Sequence, residues 1–465
     1  MKKNMFLKAL SLLMIASFVL TACGAPATEA PAMTEAPAAT EAPAMTESPA
    51  ATEAPAMEDV AIRWRTRPDN QEEIDVYSQI STDLDAELDG VTLTYEPGGS
   101  EGANYQDQLK AEIAAGTAPD VFWIPGTDVA DFATRGLILN ASELAGATEG
   151  YSADDFYAGP MFHLTYNPES GASGADSGAL WGLPRDVSTF ALYLNMDLIN
   201  EAGAPDPREL AANGEWDWDA FLDVAQKTRA LGSDVYGYGA SAWWGPYGVW
   251  LNASGGGFFT EDRSACALNT EESLAGLDFQ RALYQDYDVA TPYGEDPEPP
   301  FRAGKVAMFQ NGRWATPGVR TVDFEWDVVE LPAGPQGAGN WLFWGAYVIN
   351  ANTEHPEEAW ALVQALTTAA TQGKISALGA NIPSRVSQEA LDAFLTFTPP
   401  TNNQAFLNGI AANANPTAEG PLWAGSWPEF DKIMGPAIQG VLTGATTVED
   451  FGATICDEAN KVFNQ

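Results

Sequence analysis

Tryptophan side chains beside turns are the residues of this sequence best suited by type and position to bind a small molecule. The chain has 15 tryptophans among 465 residues. Trp123 follows a Pro-Asp-Val turn, Trp243 and Trp244 lie between glycines, and Trp344 precedes a glycine at a predicted strand start. Aromatic faces stack on the C–H patches of sugars, and planar carboxylate, amide and guanidinium groups pair with the sugar hydroxyls. The alternative for each tryptophan is a place in the core, which is the stronger interpretation for Trp123.

The sequence offers little for covalent catalysis or metal binding. It contains only two histidines, His163 and His355. Residues 237–242 loosely match a nucleotide-binding pattern, but Trp-Trp-Gly-Pro follows them instead of a helix. A secreted glycosidase stays an alternative, because a chain with 64 acidic residues can supply a carboxylate pair at catalytic spacing by chance. We expect a binding protein that has no catalytic residue, metal or cofactor.

The N-terminus has the pattern of a targeting segment. Three lysines precede an apolar run at 9–20, which is short for a membrane span and typical of a signal peptide. The run ends in Leu-Thr-Ala-Cys, and this order of features resembles the lipobox of bacterial lipoproteins. We therefore expect a signal peptide at 1–22 and a lipidated Cys23. An ordinary signal peptide with an incidental cysteine is the alternative.

Residues 23–57 are a low-complexity segment in which the unit ATEAPAM recurs with a period of 12. Closely spaced prolines prevent helices and sheets, and the alanine, threonine and glutamate between them cannot form a core. We predict a disordered, acidic tether, which could be a functional leash or a passive spacer.

The charge of the chain limits its partners. The formal net charge is −42, so phosphate backbones and anionic lipids are repelled and nucleic-acid binding is disfavoured. A bulky anionic ligand is also disfavoured, although one local basic pocket could override the global field. The charge and the aromatic content together favour a neutral saccharide.

The folded part alternates apolar runs with amphipathic stretches, which is typical of an α/β protein. Strands are predicted at 60–64, 91–95 and 121–124, and clear helices at 217–230, from 354 and from 447. About 400 residues exceed one small domain and fit two lobes. Cys266 and Cys456 could form a disulfide or be two buried apolar residues.

Five motifs, in order, resemble the family 1 extracellular solute-binding proteins, the group that includes maltose-binding protein. They are AGTAPDV at 115–121, GLP at 182–184 with LYLN at 192–195, FRAGKVAM at 301–308 with NGRWA at 311–315, WGAYVI at 344–349 with PEEAW at 356–360, and NIPSR at 381–385. Each motif is weak alone, but their order behind a lipobox is specific. The resemblance extends from about residue 60 to the C-terminus.

This resemblance implies an α/β fold of the two-lobe, type II periplasmic-binding-protein class with a ligand cleft between the lobes. By analogy we expect lobe 1 at 58–156 plus 324–370 and lobe 2 at 157–323 plus 371–465. The lobes would close on a carbohydrate, and the closed form would deliver it to the permease of an ABC importer. The chain would be a monomer held on the extracytoplasmic face of the cell membrane by its lipid anchor.

The resemblance also adds candidate ligand contacts. Trp314 matches a family position that often stacks on the ligand, and Trp427 lies near a late aromatic contact of the family. Polar side chains at strand ends should face the cleft. These candidates are Arg65, Arg67, Asp69, Asp128, Arg185, Asp186 and Arg385.

Two further alternatives stay open. A surface adhesion or sensory module could have the same fold and bind a ligand without a permease. Within the transport class, the solute could be a polyol, glycerol phosphate or another small molecule.

Overall fold

Two β-sheets lie at the centre of this computed structural model, which describes residues 59–68, 71–99, 105–171, 173–260, 264–412 and 427–462. The predicted signal peptide, Cys23 and the predicted tether are outside the described residues, and so is Asp69. No helix within these ranges is long and apolar enough to cross a membrane.

The strands fall into a first sheet of six, a second sheet of four and a small hairpin. In chain order they are β1 Val60–Thr66, β2 Val91–Pro97, β3 Val121–Pro125, β4 Gly182–Ser188, β5 Phe190–Asn195, β6 Tyr236–Ala240, β7 Val306–Gly312, β8 Trp326–Val329, β9 Ala333–Gly334, β10 Gly337–Ala338, β11 Phe343–Ile349 and β12 Ile382–Pro383. The first sheet has the order β12-β4-β11-β3-β1-β2, and the second has the order β6-β7-β5-β8. Both sheets mix parallel and antiparallel pairs.

Helices cover the sheets. They are α1 Gln71–Glu87, α2 Tyr105–Ala115, α3 Val129–Thr134, α4 Ser142–Ala147, α5 Ala158–Leu164, α6 Met196–Glu201, α7 Pro207–Asn213, α8 Trp218–Arg229, α9 Trp244–Ser254, α10 Glu271–Gln285, α11 Glu298–Arg302, α12 Thr316–Val319, α13 Pro356–Leu366, α14 Ala369–Ser376, α15 Gln388–Leu395, α16 Gln404–Ala412, α17 Trp427–Leu442 and α18 Val448–Ala459. Local signals set several of these ends. The Asp217 side chain accepts from Ala220 N at the start of α8, and Thr447 accepts from Asp450 N at the start of α18. The strands and helices predicted from the sequence are confirmed, but the expectation that no helix follows residue 242 is wrong, because α9 begins at Trp244.

Buried apolar residues form two hydrophobic core clusters, and the first of them also includes residues of the second sheet, such as Tyr193 and Phe309. Ile62, Phe122 and Tyr347 are fully buried within the first sheet, and helix α13 packs against strands β1, β3, β4 and β11 of that sheet. Leu192 and Met308 are fully buried in the second core, against helices α8, α9 and α17. All six residues of β5 are buried, which agrees with its continuous apolar sequence FALYLN. The structure therefore has two lobes, as expected.

Strand pairing corrects the lobe boundaries expected from the sequence. β4 was expected in lobe 2 but pairs with β11 of the first sheet, and β12 follows it there by pairing with β4. β8 was expected in lobe 1 but pairs with β5 of the second sheet. Short apolar runs specify a strand without specifying its partner, which only the tertiary structure decides. The chain crosses between the sheets directly after β4, because β5 begins two residues after β4 ends.

The structure joins Cys266 and Cys456 in a disulfide. Their Cα atoms are 5.4 Å apart although the two residues are separated by 190 positions in the sequence. Both cysteines are buried in the second core. Of the two interpretations left open by the sequence, the structure selects the paired one.

Candidate ligand cleft

A cavity of about 1200 Å³ lies between the two lobes. One wall of the cavity belongs to the first lobe and the other wall belongs to the second lobe. Leu342 and Phe343 also line the cavity, at the point where the chain enters β11. The volume exceeds the roughly 300–1000 Å³ typical of a site for one small ligand. Eight of the predicted contact residues line the cavity, and these are Arg67, Trp123, Arg185, Asp186, Trp243, Trp244, Trp314 and Trp344.

Four aromatic side chains on one side of the cavity form a continuous surface, which we call the aromatic shelf (Trp243, Trp244, Trp314 and Phe343). The ring centroid of Phe343 is 5.5 Å from those of Trp243 and Trp314 and 5.6 Å from that of Trp244. Phe190 packs against the shelf, with its ring centroid 4.6 Å from that of Phe343. Trp243 is the most open member at 37% exposure, so its ring is available to a ligand. The shelf offers a hydrophobic surface of the kind that sugar rings stack on.

Glycines fix the orientation of four cleft tryptophans. A Cβ atom added to any of these glycines would lie 2.0–2.6 Å from an atom of the tryptophan ring that it contacts. The pairs are Gly345 with Trp123, Gly126 with Trp344, Gly312 with Trp314, and Gly245 with Trp243. Because each ring packs directly against backbone, no other residue fits at these positions without moving the ring. These four glycines therefore have a packing role in the cleft.

Charged side chains of the first lobe lie around Trp123. The guanidinium groups of Arg67 and Arg185 lie 4.8 and 4.9 Å from the centroid of its ring. Arg185 Nη2 is 2.6 Å from Asp186 Oδ2. The β4–β11 register shifts at Gly345, opposite these residues, and such irregularities redirect side chains. Burial acts to lower the pKa of Arg185, but the Asp186 carboxylate together with Tyr77 and Tyr347 outweighs burial, so that the pKa is raised well above the ordinary value.

Two predicted arginine contacts do not line the cavity, which corrects the prediction. Arg65 Nη1 is 2.6 Å from Glu112 Oε2, and Arg65 Nη2 is 2.9 Å from Glu96 Oε2. Arg385 Nη1 is 2.9 Å from Asp155 Oδ2, and its guanidinium lies over Phe156 in a separate small pocket. Carboxylates within their own lobe hold both side chains away from the cleft.

Trp427 and Asp128 are likewise not part of the cavity lining. Trp427 is only 8% exposed and packs in the second core against Phe430 and the back of Trp244. Asp128 directly follows the cavity residue Thr127, but its half-buried carboxylate interacts with Gln106 and Lys110. Asp69 cannot be placed because it lies outside the described residues.

Because the Asp128 carboxyl is partly buried, we expect the stability of the protein to depend measurably on pH. Burial raises its pKa to about 6, so the folded state binds this proton more tightly than the unfolded chain does. Ionisation should therefore destabilise the fold as the pH rises through about 6. We expect D128N to increase the free energy of unfolding by up to about 3 kcal/mol at pH 8 and by much less at pH 4. Denaturant titrations at both pH values measure this, with D176N at an exposed position as the control. An equal effect of D128N at both pH values would contradict it.

Several cavity residues were not predicted from the sequence. Phe343 directly precedes the quoted WGAYVI motif, and Asn381 begins the quoted NIPSR motif, so both were within reach of sequence reasoning. Glu72, Glu298 and Arg320 also line the cavity. Nothing in their local sequence distinguishes them from surface charges.

Arg313, which precedes Trp314, is enclosed by aromatic rings. It is 0% exposed, and its guanidinium lies 4.9, 5.3 and 5.2 Å from the rings of Phe394, Phe397 and Phe406. Burial lowers its pKa to about 10, so it remains charged at neutral pH. These contacts anchor the segment that presents Trp314 to the cleft.

Two α/β lobes connected by crossing strands, with an aromatic and charged cavity between them, define the class of the two-lobed solute-binding proteins. The sequence profile of the bacterial extracellular solute-binding protein family matches residues 76–373, and the chain belongs to this family.

Individual relatives agree with this assignment. A maltooligosaccharide ABC transporter solute-binding lipoprotein of Streptococcus pneumoniae is 23% identical over 66% of this chain and 70% of its own length. An ABC substrate-binding protein of Listeria monocytogenes in complex with cycloalternan has a TM-score of 0.74 at 18% identity, covering 88% of this chain and 100% of its own. UgpB of Mycobacterium tuberculosis in complex with glycerophosphocholine has a TM-score of 0.73 at 17% identity, covering 87% of this chain and 98% of its own.

Proposed function

We propose that this chain is the substrate-binding component of an ABC importer, and that it binds a carbohydrate in the cleft and delivers it to a permease by lobe closure. The observation that carries the proposal is the aromatic shelf, which forms one side of a cavity of about 1200 Å³ between the lobes. A cluster of indole rings offers apolar faces and edges against which the C–H faces of sugar units can pack. The ligand would be released chemically unchanged, since the proposed role is binding and not catalysis.

The names of relatives and the N-terminal sequence support this role. The maltooligosaccharide and cycloalternan proteins bind oligosaccharides, as their names state, whereas the glycerophosphocholine complex keeps a smaller phosphate-bearing solute as the alternative. A lipidated Cys23 and a tether at 23–57 would hold a monomeric receptor on the extracytoplasmic face of the membrane, where it meets its permease.

A thermal-shift screen tests the proposal. The protein from residue 24 onward would be heated with neutral and acidic mono- and oligosaccharides, polyols and glycerol phosphate. A ligand that binds only the folded state raises the midpoint by mass action. We expect a shift with one class of saccharide. A shift with glycerol phosphate or a polyol alone would overturn the carbohydrate assignment. Unchanged sugar uptake after deletion of the gene would favour the adhesion or sensory alternative.

Replacement of Trp314 tests the aromatic shelf directly. We expect W314A to weaken binding of the screened sugar by about 1–3 kcal/mol, because a desolvated stacking contact is lost, while W314F keeps part of the affinity. W218A is the control, since Trp218 stacks on Phe279 at 4.1 Å and does not line the cavity. Calorimetric titration measures all three. Affinity in W314A equal to that of the parent would remove Trp314 from the binding surface.

A further inference from the structure

The first-lobe wall of the cavity contains buried hydrogen-bond donors that have no partner among the residues that the structure describes. They are Arg67 Nε, Arg185 Nη1, Trp123 Nε1 and Asn381 Nδ2, and all four residues line the cavity. We call these residues the donor wall (Arg67, Trp123, Arg185 and Asn381). Trp123 is 6% exposed and Asn381 is 8% exposed, so water reaches them poorly. Buried donors without acceptors are costly, and a ligand in the cavity could supply acceptors to these four.

The chemistry of three of the four donor-wall residues, Arg67, Trp123 and Arg185, is one-sided. Arginine and the indole nitrogen of tryptophan can only donate, so no alternative assignment of their atoms turns them into acceptors. Cation–π contact holds the Arg67 and Arg185 guanidinium groups beside Trp123. A guanidinium positioned in this way presents a planar fork that matches a carboxylate in two parallel hydrogen bonds.

The balance of charge in the cavity also differs from that of the chain. The whole sequence has 22 basic and 64 acidic side chains. The cavity lining has three of each, with Arg67, Arg185 and Arg320 against Glu72, Asp186 and Glu298. The cleft is thus relatively enriched in arginine.

Two of the three lining carboxylates already have a cationic partner. Asp186 pairs with Arg185, and Glu298 Oε1 is 3.8 Å from Arg302 Nη1. Within the described part of the chain, neither Arg67 nor Arg320 has a carboxylate at ion-pair distance. These two guanidinium groups come from opposite lobes and face one cavity, so positive charge remains available to a ligand from both walls.

We propose that the ligand is an acidic saccharide whose carboxylate binds the donor wall while its sugar rings lie on the aromatic shelf. This inference rests on the proposed function. It replaces the neutral ligand that the net charge of −42 favoured. At physiological ionic strength the Debye length is about 8 Å, so distant surface carboxylates are screened while the adjacent arginines act on the ligand at full strength.

Matched pairs of ligands test this inference with the protein from residue 24 onward. Each pair is an oligomer of a uronic acid, such as galacturonate, glucuronate or mannuronate, and its methyl ester, which keeps the skeleton and removes the charge. Calorimetric titration is done at low and high salt. We expect at least one acid to bind about tenfold or more tightly than its ester, the margin of one good charge-assisted contact, and to weaken as salt rises.

Variants of Arg67 assign the preference to the donor wall. R67Q should lose most of the acid-over-ester preference, and R67K should retain part of it because the charge stays and the fork is lost. R63Q is the matched control, since Arg63 lies on β1 shortly before Arg67, pairs with Glu96 and does not line the cavity. Its preference should equal that of the parent, and thermal midpoints verify that all variants are folded.

The outcomes separate this inference from the proposed function. If esters or other neutral sugars bind as well as the acids, or if R67Q weakens both members of a pair equally, the acidic ligand is wrong and a carbohydrate receptor remains. If sugar phosphates bind in preference to uronates, the carboxylate is wrong. If no saccharide binds, charged or neutral, both proposals fail.

Discussion

Loss of the disulfide between Cys266 and Cys456 should lower the free energy of unfolding by about 2–5 kcal/mol. The bond closes a loop across 190 positions, and a cross-link over so long a loop strongly restricts the unfolded chain. It also ties the start of α10 to α18, both of which pack on the second core. We expect C266S, C456S and the double variant to show this loss in denaturant unfolding, with ligand contacts unchanged because neither cysteine lines the cleft.

The three variants provide their own control. Either single replacement breaks the bond, so the double variant should be about as stable as each single one, and the losses should not add. Treatment of the parent with a reductant should lower its midpoint toward that of the variants. A parent midpoint that does not respond to reductant, together with additive losses in the double variant, would show that the two cysteines contribute separately and are not bonded in solution.

Replacement of Gly345 by alanine should damage both stability and binding. The new methyl group would lie 2.0 Å from Trp123 Nε1, a distance that no real contact adopts. The indole would have to shift, and Arg67 and Arg185, which contact its ring, would lose their positions. We expect G345A to lower the free energy of unfolding by about 1–3 kcal/mol, the usual effect of overpacking, and to weaken ligand binding measurably.

Gly146 offers the matched control. A Cβ added to this glycine of α4 meets no atom within 4 Å. G146A should therefore leave binding unchanged and be neutral or stabilising by about 0.5–1 kcal/mol, because alanine favours a helix over glycine. Unfolding and calorimetric titrations on both variants distinguish a specific clash from a general effect of glycine replacement. Wild-type affinity and stability in G345A would mean that Trp123 does not rest against the backbone of β11.

The elements themselves were predictable from the sequence because their signals are local. Asp217 and Thr447 each cap the helix that follows within a few residues, and Pro356 begins a helix whose first turn holds two glutamates. The apolar runs of β1, β2 and β3 likewise appear as strands where they were expected. Five of the six candidate tryptophans line one cavity, and four of these were chosen for the turns and glycines beside them.

Contacts between distant segments decided the rest. The sequence determined that the chain has two lobes and which stretches are strands and helices, but it did not determine which sheet β4, β8 and β12 join. Arg65 and Arg67 illustrate the same limit at the site, because both follow the start of β1 and were equal candidates. The register pairs Arg65 directly with Glu96 on β2, which holds its side chain, whereas Arg67 lies past the strand end and contacts Trp123.

The sequence by itself thus determined the class of fold, the helix caps and the aromatic character of the cleft, since these depend on residues close together in the chain. Only the tertiary structure decided that Trp427 belongs to the core, that Arg385 pairs with Asp155, and that four donors of the donor wall have no acceptor among the described residues. The physical reason is that the role of a polar or aromatic side chain depends on which partners strand pairing and lobe packing bring to it.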